Sequence, residues 1–182
     1  MNQARYSAVA ILLHWVMALL IFATWTIAIA VSDLPISPAR IAGISWHKWL
    51  GTSVFFLVMI RILWRATHPA PKLVLAMPFW QEKIMHLTHV ALYLLMLIIP
   101  VVGWLMSSAK GYTVNYFGLF ELPDLVTQDK ALGHLLKEIH ETLANTLMIL
   151  VGLHFLAALK HQLIDKDNLL TRMSFHRGKK RD

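Results

Sequence analysis

Apolar positions gather into four long blocks, separated by short polar stretches that carry the prolines and glycines. The first, 8–31, runs 24 residues without a formal charge. At 1.5 Å of rise per residue, a helix of that length crosses about 30 Å of hydrocarbon. The second block covers about 47–64, the third 84–106 and the fourth 139–161. Each is long enough to span. Pro35 and Pro38 follow the first block, Pro69, Pro71 and Pro78 the second, and Gly111 and Pro123 the third. Breakers therefore stand where helix ends are needed. Pro100 and Gly103 instead fall inside the third block, where a membrane helix tolerates a kink. The first block exceeds the roughly 7–15 apolar residues of a secretion signal and carries His14 early, so it reads as a retained helix. The expected fold is all-α: one integral membrane domain over 1–182, built as a four-helix bundle. A short amphipathic stretch at 129–137, within the long connection 110–138, is expected to lie as a helix on the outer surface.

Composition agrees. Of 182 residues, 57% are apolar and 15% charged, and there is no cysteine. Disulfides, thiolate metal sites, iron–sulfur clusters and covalent haem attachment are thereby excluded, and metal chemistry falls to histidine or carboxylate. The net charge of +7 changes meaning once it is mapped. Twelve of the seventeen Lys and Arg residues precede the first span, join the second to the third, or follow the fourth. The positive-inside rule puts both termini in the cytoplasm, with Arg40, Lys48, Lys110, Lys130 and Lys137 outside. The excess is a topology signal, and the basic tail 176–181 suits anionic headgroups better than nucleic acid. Trp46, Trp49, Trp64, Trp80 and Tyr112 lie near block ends as an aromatic belt does.

Ten histidines remain to be explained. His68, His134 and His176 read as loop residues. His86 and His89 start the third block, where a histidine can face the interface or bond a neighbour. His140 and His154 lie fourteen residues apart on the fourth; at 100° per residue both rings leave one face, offset by roughly 21 Å along the axis. His14 matches the depth of His154, and His47, read as opening the second helix, matches that of His140. Two imidazoles facing each other across a bundle suit six-coordinate haem iron, whereas zinc normally takes four ligands. Small residues flank these histidines: Gly51, Ala144, Gly152, Ala157 and Ala158. They would let a macrocycle approach, although plain helix packing uses them too. Arg61 is the candidate partner for an inner haem propionate, with snorkelling to headgroups as its other reading, and Lys48 and Lys137 are candidates for the outer one.

Motifs along the chain add a resemblance. Arg5-Tyr6-Ser7 leading to His14-Trp15, His47 followed by Arg61, the run 89–95 with Pro100 and Gly103, the run 137–145, and Gly152-Leu153-His154 together resemble the bacterial cytochrome b561 family over nearly the whole chain. That resemblance implies an inner-membrane four-helix protein with two haems b, one held by His14 and His154 on the cytoplasmic side and one by His47 and His140 outside. The closing segments 157–161 and 166–173 are similar to a superoxide-oxidising member of that family. They imply that superoxide is oxidised to oxygen at the outer face and that electrons pass through both haems to ubiquinone. Lys137 would then help draw the anion in, within a cationic entrance that includes Arg40, Lys48 and Lys130, and His161 would border the quinone. Two other readings stand beside it. One is a quinol-linked electron carrier or membrane anchor serving a periplasmic redox partner. The other is a histidine-rich transporter, which calls for carboxylates at mid-membrane depth; no Asp or Glu lies in the central part of any span.

Overall fold

A computed structural model describes residues 5–69, 71, 78–166 and 169–175. Four helices dominate: α1 (Ala8–Ser32), α2 (Pro38–Thr67), α3 (Phe79–Ala109) and α4 (Lys130–Lys160). Each is long and apolar enough to cross a membrane, α4 together with the π-helical turn His161–Asp165 that continues it. A 3-10 turn, Leu169–Met173, follows, and two short strands, β1 (Val114–Tyr116) and β2 (Phe120–Leu122), lie between α3 and α4. Lys72, His176 and the basic tail through Arg181, which carry part of the positive-inside asymmetry, lie outside the described residues.

Three helices begin earlier than the apolar pattern indicates, α3 by five residues, and local capping explains α2 and α4. The Ser37 hydroxyl accepts from Arg40 N, and Pro38 occupies the first turn of α2. A proline there loses no helical hydrogen bond, so Pro38 starts this helix instead of breaking the chain. Likewise Asp129 Oδ1 accepts from Leu132 N at 3.0 Å. The stretch 129–137 therefore supplies the cap and first two turns of α4 and is not a separate surface helix. His47 consequently lies about two and a half turns inside α2 and does not open it.

α1 packs along α2 and α3 along α4, while α2 and α3 share a thinner seam. Leu92, Ile99 and Leu147 form the buried cluster between α3 and α4, and Ile21 of α1 packs against it. Facing outward are Leu19, Phe22, Leu63, Leu87 and Ile149, each 60–70% exposed. That apolar rim is what lipid-facing helices require. We call the end bearing both described chain ends and the α2–α3 connection the terminal end, and the opposite one the loop end.

At the terminal end the 3-10 turn folds back beneath α1. Trp15 Nε1 donates to Met173 O at 2.8 Å, and the nearly buried Arg172 donates to Pro71 O at 2.6 Å. At the loop end, β1 and β2 pair antiparallel in the register Val114↔Leu122, Asn115↔Glu121 and Tyr116↔Phe120. Phe117 (φ 50°) and Gly118 (φ 73°) make their turn. Periodicity gave no warning of this hairpin, because three-residue strands are too short to show an alternation.

Candidate functional site

His14 and His154, from α1 and α4, bring their ring centres to 6.3 Å with planes 69° apart. His47 and His140, from α2 and α4, do the same at 6.1 Å and 77°. These are the two pairs expected from depth matching. A metal–imidazole bond of about 2.0–2.1 Å, added to a ring radius of about 1.1 Å, puts two imidazoles that share one ion about 6.2–6.4 Å apart. The first pair falls within this range and the second 0.1 Å short of it, so the spacing of both is compatible with two imidazoles sharing one iron. Among the described residues no group of three or more His, Asp or Glu side chains could hold an ion, so the donor set does not suit a four-coordinate site.

Hydrogen bonding orients the loop-end pair. His47 Nδ1 lies 3.0 Å from Thr24 O and His140 Nδ1 lies 3.1 Å from Ile99 O. A carbonyl oxygen only accepts, so both rings carry their proton on Nδ1 and present the Nε2 lone pair. Metal-ligating histidines are held in this way. Room for one of these rings comes from an unexpected residue. A Cβ on Gly103 would stand 2.9 Å from His140 Cε1 and 3.2 Å from its Nδ1. By contrast, a Cβ on Gly51 would meet only Thr24 Cγ2 at 3.9 Å, and one on Gly152 nothing within 4 Å. The tightest clearance beside a paired histidine lies across the helix interface, not on the histidine's own helix.

The terminal-end pair has a third imidazole as neighbour. His89 approaches His154 to 5.3 Å at 79°, and its Nδ1 lies 2.7 Å from Met85 O. Set aside in the sequence as an interfacial residue, His89 belongs to this cluster. Its spacing from His154 is shorter than a shared ion requires. His86 stays outside, 3.9 Å from Glu82 on an exposed helix edge. Arg61 is turned inward: its Nε donates to Tyr93 OH and its Nη1 to Ala10 O, both at 2.9 Å. Ala10 precedes His14 by one turn, so the guanidinium lies on the terminal side of that pair, and these bonds disfavour the snorkelling reading.

Charges at the loop end are partly spoken for. Lys137 Nζ lies 3.1 Å from Glu141 Oε1, with both side chains about half exposed. Burial, with Lys137 nearby, holds the Lys110 ammonium below the ordinary lysine value, and Glu141 acts in the opposite sense. Lys48 Nζ sits 5.7 Å from the centre of the Tyr112 ring. Arg40 donates to Leu34 O at 2.6 Å. At the other end His161 Nδ1 lies 3.1 Å from Asp165 Oδ2, which also receives Lys160 Nζ at 2.6 Å. His161 follows His154 by seven residues, so it leaves nearly the same helix face about 10 Å further on. Trp49 and Trp46 serve the hairpin more than a free belt: Trp49 stacks on Phe117 at 4.7 Å, and Trp46 meets the same ring at 6.2 Å.

Comparison with known proteins identifies the family. A sequence profile of the prokaryotic cytochrome b561 family matches residues 5–176. Cytochrome b561 homolog 2 of Escherichia coli (strain K12) is 29% identical over 174 residues, covering 93% of this chain and 90% of that protein. Cytochrome b561 homolog 1 of the same organism is 32% identical over 170 residues, covering 93% and 96%. The probable superoxide oxidase CybB of Yersinia pestis is 31% identical over 176 residues, covering 93% and 95%.

Proposed function

The chain belongs to the prokaryotic cytochrome b561 family of haem b electron-transfer proteins of the inner membrane, and from that premise we propose that it is a dihaem superoxide:ubiquinone oxidoreductase. The observation that carries the reading is the presence of two imidazole pairs at two depths, 6.3 and 6.1 Å across. The likeness to a probable superoxide oxidase supplies the substrate. The balanced reaction takes two superoxide anions, one ubiquinone and two protons to two dioxygen molecules and one ubiquinol.

His47 with His140 and His14 with His154 would hold haem b, which when bound supplies a one-electron iron couple. Four imidazoles so engaged would favour outer-sphere electron exchange over oxygen binding. Arg61 and Lys48 would supply the cationic partners that propionates need. Lys48, Lys110 and Lys137, the last ion-paired with Glu141, would form a local cationic patch that draws in a small anion, at an end where five Lys and Arg residues otherwise face six Asp and Glu. His161, whose Nδ1 donates to Asp165 Oδ2, would border the quinone at the terminal end and offer Nε2 to accept from a quinol hydroxyl. The lysine and arginine asymmetry supports a periplasmic loop end with both termini cytoplasmic.

Stopped-flow mixing of oxidised protein with superoxide, followed by ubiquinone addition, tests the reading through the haem absorbance. Reduction by superoxide and reoxidation by the quinone are expected. Reduction by ubiquinol with no response to superoxide would overturn it in favour of a quinol-linked carrier for a periplasmic partner, a reading consistent with the relatives described only as cytochrome b561 homologs.

A further inference from the structure

The hairpin 114–122 is two-faced. Its register puts Val114, Tyr116, Phe120 and Leu122 on one side and Asn115 and Glu121 on the other, because side chains alternate across a strand. At its tip Leu119 is 77% exposed, and Phe120 beside it is 46% exposed. Polar groups of the turn are satisfied within the hairpin: Leu119 N donates to Tyr116 O at 2.9 Å and Gly118 N to Asn115 Oδ1 at 2.6 Å.

The hairpin grips α2 at the aromatic level and below it. Trp49 Nε1 donates to Asn115 O at 2.8 Å. Ser53 Oγ and Tyr116 OH are 3.0 Å apart, and Phe56 packs edge-on against the Tyr116 ring at 5.8 Å. Ser53 and Phe56 lie about 6 and 10 Å further into the span than Trp49. A water-borne loop would have no reason to follow an apolar helix inward while leaving a leucine and a phenylalanine uncovered at its tip.

We propose that this hairpin is an interfacial membrane anchor. It lies in the leaflet at the loop end, with Leu119 and Phe120 among the upper acyl chains and Glu121 and Asn115 in water. The occupant of the apolar surface is lipid, since Phe56, which packs on Tyr116 of the hairpin, is itself exposed on the spanning helix. Trp49 stands two residues beyond His47, about 3 Å along the axis, so the anchor holds the His47–His140 pair at a set, shallow depth. This inference does not depend on the identity of the electron donor.

The chain has no cysteine, so single labels can be placed without background. We would attach a nitroxide to Leu119→Cys and to Glu121→Cys in neutral-lipid nanodiscs, with Leu19→Cys as the lipid reference and Thr127→Cys as the water reference. Power saturation with oxygen and with a water-soluble nickel chelate reads depth. The Leu119 label should relax with oxygen as the Leu19 label does, and the Glu121 label with nickel as the Thr127 label does. Phe120→Cys repeats the test should the first variant fold poorly. A Leu119 label as open to nickel as Thr127 would overturn the proposal in favour of a water-exposed loop. Shielding from both reagents would overturn it in favour of a protein partner or a second copy.

Discussion

Gly103→Ala is the sharpest perturbation available at the paired histidines. The new methyl carbon would stand 2.9 Å from His140 Cε1, where ordinary contact begins near 3.4 Å, so the ring must retreat by about half an ångström. α3 gives little ground, since the neighbouring Ile99 belongs to the buried cluster. The same retreat stretches the 3.1 Å bond from His140 Nδ1 to Ile99 O past useful length. Overpacking costs about 1–3 kcal/mol and the lost hydrogen bond about 0.5–1.5 kcal/mol. Together they amount to roughly 2–4 kcal/mol against the liganding geometry, on the order of tens- to hundreds-fold weaker haem retention at that pair. Haem-to-protein ratio, redox titration and low-spin electron paramagnetic resonance signals would report it, with one of two haem signals lost or shifted and the other intact. Gly51→Ala is the control, because its methyl group would meet only Thr24 Cγ2 at 3.9 Å. Retention of both haems with unchanged potentials in Gly103→Ala would refute the positioning argument.

His140→Ala and His154→Ala should each remove one haem signal, and a different one, in difference spectra of the purified proteins. Arg61→Ala breaks two bonds that join α2 to α3 and α1 and should lower stability by about 2–4 kcal/mol; Tyr93→Phe breaks one and should cost about 1 kcal/mol, both read by thermal unfolding in detergent. Glu141→Gln releases Lys137 from its ion pair and should speed reduction by superoxide about 2- to 5-fold at low salt, while Lys137→Gln slows it by a similar factor. Both effects should fade as salt is added, and a change that persists at high salt would count against the electrostatic explanation.

What could be read from the sequence is what a single helix repeats. Span length, charge asymmetry and the fourteen-residue spacing of His140 and His154 are properties of one segment, and the structure brings His14 and His47 to the places this spacing requires. Pro38 and the stretch 129–137 were legible as residues but misassigned, because a proline in the first turn and one past the end look alike until the Ser37 cap is seen. Gly103 and His89 were hidden for another reason: their importance lies in how α3 is rotated against α4, which one chain's periodicity does not encode. The hairpin was short, aromatic and non-periodic, and only its contacts with Trp49 and Ser53 give it meaning.

The uneven packing of the helices has a consequence for biogenesis. α1 with α2 and α3 with α4 are each a self-sufficient hairpin of neighbours in sequence, suited to entering the bilayer as a unit. Each histidine pair joins one hairpin to the other: His14 and His47 come from the first, and His140 and His154 from the second. A prosthetic group captured between them would be a rivet between halves that the bare chain joins along a thin α2–α3 seam and a few contacts such as Ile21 on the α3–α4 cluster. On the dihaem reading, two rivets at different heights on α4 would oppose both sliding and swivelling, and maturation of the bundle and acquisition of its redox centres would become one event.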